Sequence, residues 1–556
     1  MKKTRRLIAL TLSAVLCLAL LAACAGGGGP PPTIAPPAAN PGQGPGAAVG
    51  PGASGGVTID VDEDVLEDSN LADYIHIIVD NNNIGVLDPH MPGANPTSTN
   101  WVLTMIHGRL IENHPEIAGY QPGLALDWTL SDDMKTYTFN LRQGVKFHNG
   151  DDFTAADVIY TINRVQGDAG FAGSNASSIW RDVVSATAPD PYTLVITLSD
   201  IDVDFLYSIA RPPAGILNQR AIQANPDTGP HIGTGPYMVE EFLTLDYALL
   251  RANPNYWDGP PRTEQVRFRF VPEMPARTVM MQTGEAHLSF GTPADDMAWF
   301  LDNTQDFTVF TTTSNDPQGL AFNLNDPITG DYNFRRAVAH ALDRPAIAFG
   351  AAGQWADGDL RDGAFWGIGT EFRNTNIQLP ERNLELAREY LAQSNYNGEP
   401  VEISAAIITF IRMAQIVQMQ LEEIGINAFV NDMESSALPM HAHYGGTDHQ
   451  IVCFFTLITP SAGSSRAAFL EGGAQNRASF TDPRVTELLN AAKSTIDENA
   501  RGAMYREVQE IVAESLAYQN LMWRVFGNVA ANGVGGIIAN PDPAAHDFRN
   551  IYMIVE

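Results

Sequence analysis

Leu141-Arg-Gln-Gly-Val-Lys-Phe-His-Asn-Gly150 stands just ahead of Phe153-Thr-Ala-Ala-Asp-Val158 in a chain of 556 residues. Leading into it, Tyr137, Phe139 and Leu141 alternate with Thr136, Thr138 and Asn140, the two-residue period of a half-buried strand. Gly144 and Gly150 bracket a short extended piece, where tight turns need a residue that tolerates positive φ. Thr154-Ala155-Ala156-Asp157 then reads as a capping-box-like helix start, and Val158, Ile159, Ile162 and Val165 form an apolar stripe behind it. A strand, a glycine-bounded turn and a capped amphipathic helix in quick succession predict a mixed α/β chain.

The same grammar extends outward. Val266, Phe268 and Phe270 alternate with Arg267 and Arg269, and Tyr192 to Leu198 reads as a strand behind Asp190-Pro191. Met413, Ile416, Val417, Leu421 and Ile424 fall at helical spacing, Gly425 supplies a stop, and Ile426 to Val430 reads as a strand. No solenoid-type repeat interrupts this interleaving. At about 100–200 residues per domain, the length allows two to four domains.

The charge narrows the partners. With 33 basic and 64 acidic residues the chain carries −31 at pH 7. Such an excess repels phosphate backbones and anionic headgroups, which excludes nucleic acid and a polybasic membrane clamp. Cys17, Cys24 and Cys453 are too few for a disulfide scaffold or a cysteine-rich zinc site.

The first residues read as an address. Met1 to Arg6 is basic, Leu7 to Leu20 is almost unbroken apolar sequence, and Leu21-Ala22-Ala23-Cys24 follows. A charged start, a short apolar core and small residues at its end describe a secretory signal peptide over residues 1–23. Leu-Ala-Ala-Cys resembles the bacterial lipobox, which implies lipidation of Cys24 and contact with the membrane through that anchor alone. Residues 25–56 hold 11 Gly, 8 Pro and 7 Ala without a charge, and an acidic patch from Asp60 to Asp68 follows. Residues 24–72 are therefore expected to be a disordered tether and acidic spacer, with a globular body from Asp73.

The motifs of the body resemble those of family 5 extracellular solute-binding proteins, the dipeptide, oligopeptide and nickel receptors of ABC importers. Besides the two segments quoted first, Leu87-Asp88-Pro89, Gly233-Thr-Gly-Pro-Tyr237, Asn253-Pro-Asn-Tyr-Trp-Asp-Gly259 and Phe334-Arg-Arg-Ala-Val-Ala-His-Ala-Leu-Asp-Arg344 occur in the family's order. The resemblance spans residues 75 to about 530. It implies an α/β, periplasmic-binding-protein-like fold of two lobes with an extra subdomain on the first and a ligand cleft between them. Lobe I would comprise residues 73–108, 233–317 and 526–556, its subdomain 109–232, and lobe II 318–525. It further implies an extracytoplasmic monomer, without cofactor or enzymatic activity, that captures a peptide or other small solute, oligosaccharides included. The partners implied are an ABC permease and ATPase complex. A receptor that signals to a membrane sensor is the alternative.

The family pattern fails at one informative place. Its peptide receptors carry an aspartate in a Gly-Trp-x-x-Asp-x-x-Asp-Pro-like segment, where it pairs with the peptide's α-ammonium. The corresponding segment here is Val452-Cys-Phe-Phe-Thr-Leu-Ile-Thr-Pro460, with Thr456 at the aspartate's place, or Leu457 after a one-residue slip. No Asp or Glu occurs from Gln450 to Leu470. A buried ammonium without a counter-charge is costly, so ligands without a free amine gain ground. Glu434 is the first substitute carboxylate to consider. Trp101, Trp366, Tyr444, Phe454, Phe455 and Trp523 lie in segments that approach the cleft in the family, and their faces suit a sugar ring or a peptide side chain. His441, His443 and His449 form the one histidine cluster, expected on an exposed loop and without metal. No GxSxG, HExxH or phosphate-binding glycine motif is present, so no catalytic residue is assigned.

Overall fold

A computed structural model describes residues 57–60, 66, 69–79, 85–91, 97–114, 119–172, 174–292, 294–353, 356–357, 363, 365–367, 370–434, 437–455, 461–540 and 546–555. Among these, no helix is long and apolar enough to cross a membrane. Cys24, Thr456 and Leu457 lie outside the described residues.

The opening stretch behaves as its periodicity requires. Thr136–Leu141 is a strand that buries Tyr137, Phe139 and Leu141. Helix Ala155–Gly167 follows, with Asp157 Oδ2 accepting from the Thr154 N–H at 3.0 Å and Val158, Ile162 and Val165 buried. Gly144 and Gly150 take φ of +78° and +89°. Strands Ala125–Leu130, Thr136–Leu141, Thr193–Leu198 and Val183–Asp190 pair in that order as an antiparallel sheet. They enclose their own core, drawn from residues between Leu110 and Ile216.

Two expected boundaries move. Ile426 still bonds back to Leu421 O at 3.0 Å within the end of helix Ile408–Glu422, so the strand after it starts later, at Ala428–Asp432. The tether also ends earlier than residue 72. Val57–Ile59 pairs with Ile537–Ala539, Asn70–Leu71 pairs with Tyr552–Val555, and Leu66 is buried. The Tyr552 hydroxyl donates to Asp60 at 2.5 Å. Short C-terminal strands offer unpaired N–H and C=O groups, and the alternating Val57-Thr58-Ile59 satisfies them despite the polar surroundings.

One sheet runs through both lobes, in the order Tyr237–Leu243, Tyr247–Ala252, Gln265–Phe270, Tyr74–Val79, Leu288–Thr292, Tyr518–Ala531, Phe307–Phe322, Ile451–Phe455, Val401–Ala405, Ala428–Asp432. The first lobe's core gathers Ile75, Ile77, Trp101, Val266, Phe268 and Phe290 with the returning Ile537, Phe548 and Ile551. The second lobe buries apolar residues on both faces of its strands, Ile403, Met413 and Val417 on one and Trp366, Phe454 and Leu489 on the other. Phe307–Phe322 and Tyr518–Ala531 are the long antiparallel pair common to both lobes, interrupted by a register shift between Thr313 and Pro317.

Candidate functional site

The register of that long pair points to a candidate site. In the first lobe Tyr74–Val79, Gln265–Phe270 and Leu288–Thr292 run parallel, and their last residue, Thr292, is level with Gly527. In the second lobe Val401–Ala405, Ala428–Asp432 and Ile451–Phe455 run parallel, and their last residue, Phe455, is level with Gln318, itself paired with Met522. The carboxyl ends of both sets therefore face each other across residues 523–526. Four strand residues at about 3.3 Å each make that gap roughly 13 Å. Open α/β sheets bind ligands outside the carboxyl ends of their strands, and here two such edges face each other across one gap.

The expected residues divide sharply against this frame. Trp523, paired with Pro317, stands within the gap, only 3% exposed, with the Arg373 guanidinium 5.8 Å from its ring centroid. Phe455 reaches the edge through its backbone. Glu434 follows the carboxyl end of Ala428–Asp432 and is exposed. The others are corrected. Trp101 is lobe core, packed 5.0 Å from Phe290 and 5.3 Å from His546. Trp366 is fully buried, edge-on to Tyr505, and Phe454 packs on Tyr518 at 5.4 Å. Large apolar faces complete a lobe interior more readily than they wait for a ligand. Tyr444 lies at the wrong end of the lobe. The Asn323 amide, beyond the gap-distal end of its strand, donates to Gly446 O and His449 O at 3.0 and 2.9 Å and holds that segment there.

The histidine segment is also tighter than an exposed loop. His441 ends the helix Leu438–His441 and lies 2.9 Å from Glu402 Oε1 and 3.1 Å from Ser404 Oγ, while His449 is buried against Arg477 O. Among the described residues no three His, Cys, Asp or Glu side chains converge as a metal site.

A second set of contacts joins the lobes along a seam that sequence reading did not find. Lys493 Nζ lies 2.5 Å from Asp182 and 3.5 Å from Asp202, and the Val203 N–H donates to Lys493 O at 3.1 Å. Ser461 Oγ donates to Asp204 at 2.6 Å, and the Tyr207 hydroxyl donates to Glu371 at 3.2 Å. These bonds surround a cavity of about 190 Å3 bordered by Asp182, Asp202, Asp204, Ser461, Arg466 and Lys493. Burial pushes the Asp202, Asp204 and Glu371 carboxyls up. At Asp182 burial acts the same way, but the hydrogen bond and charge of Lys493 prevail and hold it down. A signal was present: the run Asp200-Ile-Asp-Val-Asp204, and Lys493, one of three lysines after Lys3.

Comparison with known proteins bears on the family and the fold. The family described as bacterial extracellular solute-binding proteins, family 5 Middle, matches residues 119–476. The glutathione-binding protein GsiB of Shigella dysenteriae serotype 1 (strain Sd197) is 25% identical over 484 residues, 84% of this chain and 92% of its own. DppA of Helicobacter pylori, solved with the peptide STSA, superposes with a TM-score of 0.76 at 21% identity, covering 88% of this chain and 100% of that one. NikA of Staphylococcus aureus, solved with Ni(L-His)2, gives 0.73 at 16% identity, covering 87% and 100%.

Proposed function

The chain belongs to the bacterial extracellular solute-binding proteins of family 5, and from that premise we propose that it is a lipid-anchored receptor that passes a small solute to an ABC permease and its ATPase. It binds and does not catalyse. The solute sits in the crevice between the facing carboxyl edges, beside Trp523, and the seam at Lys493 and Ser461 closes over it. The supporting observation is the register that turns both parallel edges toward residues 523–526. A ligand that touches both lobes stabilises the closed form by its differential affinity.

The ligand is a peptide or other small solute whose free amine is not its principal handle. GsiB is named for glutathione and DppA was solved with a peptide, so amide-rich solutes suit this scaffold. The absence of any Asp or Glu from Gln450 to Leu470 separates this site from receptors that grip an α-ammonium there. Mass spectrometry of whatever denaturation releases from the purified protein tests the reading. One small solute near equimolar ratio is expected. A protein that arrives empty and binds no peptide, blocked peptide or oligosaccharide contradicts it.

Two expectations follow from the seam and the anchor. Lys493→Met removes a half-buried ion pair that exists only with the lobes together, so apparent affinity for that solute falls by about fivefold, or roughly 1 kcal/mol. Calorimetry at low and high salt checks this, since the variant also loses part of the salt dependence. At the other end, Cys24→Ala leaves the protein unprocessed, or soluble after processing, where the unaltered protein enters a detergent phase. Unchanged membrane partition of processed Cys24→Ala contradicts the anchor.

A further inference from the structure

Four histidines, His90, His107, His148 and His231, meet where the chain passes between the first lobe and its subdomain. The chain enters the subdomain after Ile106 and returns through residues 233–235, and the two crossings touch. The Gly235 N–H donates to Ile106 O at 2.8 Å, and a Cβ on Gly233 would lie 2.0 Å from that same oxygen. Two of the histidines tie the parts together. His90, in the first lobe, donates through Nε2 to Gly215 O at 3.2 Å and accepts at Nδ1 from Arg164 of the subdomain at 2.7 Å. His148, in the subdomain, donates through Nε2 to Gly235 O at 3.1 Å and accepts at Nδ1 from the Gly233 N–H at 3.2 Å. Only a neutral imidazole can do both. His107 is buried at the entry crossing, and neither of its ring nitrogens has a hydrogen-bond partner among the described residues.

We propose that this joint is a proton-operated hinge, in which proton uptake by His90, His107 and His148 lets the subdomain come away from the first lobe. A proton on His90 Nδ1 displaces the Arg164 hydrogen bond and sets two cations side by side. One on His107 finds no acceptor, which a buried charge requires. Asp88 faces His90, His107 and His231 and favours their protonation, but it is already committed to Arg164 through bonds of 3.1 and 2.6 Å. The Gly235 and His231 carbonyls favour a charged His148. Burial outweighs these influences, aided at His90 by the Arg164 charge, and holds His90 and His148 down to about 4 and His107 to about 3. Burial lowers the half-buried His231 as well. A histidine depressed in the shut joint and ordinary in the open one takes up a proton on opening. Each therefore drives opening by close to tenfold per pH unit between about pH 6 and pH 5, and leaves the joint shut above the ordinary histidine range. The subdomain carries Asp182, Asp202 and Asp204, so its release withdraws them from Lys493 and Ser461, and that consequence alone rests on the closure proposed above.

The test is amide hydrogen exchange of the full chain in detergent, stripped of bound solute, at pH 7 and pH 5, with each rate divided by the intrinsic rate at that pH. No solute takes part, so the outcome is independent of what the inter-lobe gap captures. Ile216, Gly233 and Gly235 donate their N–H groups across the joint, to Gly108 O, His148 Nδ1 and Ile106 O. Their protection is expected to fall by about a hundredfold or more, about tenfold from each of at least two histidines. Protection in the second-lobe strand Val401–Ala405 is expected to hold. His90→Gln and His148→Asn, made singly, keep a neutral side chain with a donor and an acceptor, and each is expected to shrink the pH effect by about tenfold. Unchanged protection at the joint from pH 7 to pH 5 overturns the proposal. So does an equal fall in Val401–Ala405, which marks global unfolding, or a full pH effect in both variants. Where one variant fails to fold, the other and the unaltered chain decide.

Discussion

Arg549→Met is expected to destabilise the protein by about 3–5 kcal/mol at pH 7, the usual loss when one partner leaves a buried ion pair. Arg549 donates to Asp547 through Nη2 at 2.6 Å and Nε at 3.0 Å, and to Glu112 through Nη1 at 2.6 Å. All three side chains are at least four-fifths shielded. The arginine ties the returning C-terminal stretch to the start of the subdomain, so its loss strands two carboxylates together. Burial pushes the Asp547 carboxyl up, but the charge and hydrogen bonds of Arg549 outweigh it and hold it below its ordinary value. A depressed acid contributes stability above its unfolded pKa and loses it as pH falls through the folded one. The difference between the two proteins is therefore widest near neutrality and narrows below about pH 4. Urea unfolding at pH 7 and pH 3 checks both magnitude and direction. Equal deficits at the two pH values contradict the assignment.

Thr456→Asp is expected to improve binding of a free-amino peptide relative to its N-acetylated form by roughly ten- to a hundredfold, the effect of a shielded charge-assisted hydrogen bond. Position 456 follows directly on Phe455, the residue that ends the second lobe's parallel strands at Gln318. A carboxylate installed there takes the place in the sequence at which the family pattern implies an aspartate. Calorimetry with Met-Leu and N-acetyl-Met-Leu on both proteins yields the comparison. Nanomolar binding of the free peptide by the unaltered protein, lost on acetylation, contradicts the prediction. Another carboxylate would then hold the ammonium. Asp204, already on the seam cavity and bonded to Ser461, is better placed than the exposed Glu434.

The fold was legible because its signals are local. Tyr137, Phe139 and Leu141 must share one face of a strand, and Thr154 with Asp157 caps the next helix whatever lies around them. The site was less legible because its contacts are not local. Ser461 meets Asp204 across 257 positions and Lys493 meets Asp182 across 311, distances over which periodicity carries no information. The aromatic residues failed for a different reason. An indole that fills a lobe interior, as Trp366 does, and one that stands beside a crevice, as Trp523 does, have the same apolar surface. Register alone separated them. The early end of the tether was missed because backbone pairing at Val57–Ile59 depends on an edge near Ile537 that composition does not reveal.

Closure on a solute between the two carboxyl edges is best tested by electron spin resonance distances across the seam. Gln223, exposed on the subdomain helix Gln219–Ala224, and Asn499, exposed on the helix Glu498–Ser515, can each carry a label as cysteine. In a protein starting at residue 25 the remaining native thiol, Cys453, is buried and stays unlabelled. Stripped of its bound solute, the protein should show a broad and longer distance distribution. Adding back the released solute should shorten and narrow it, and Lys493→Met should require more solute for the same change. An identical distribution with and without the solute would contradict capture by closure of the two lobes.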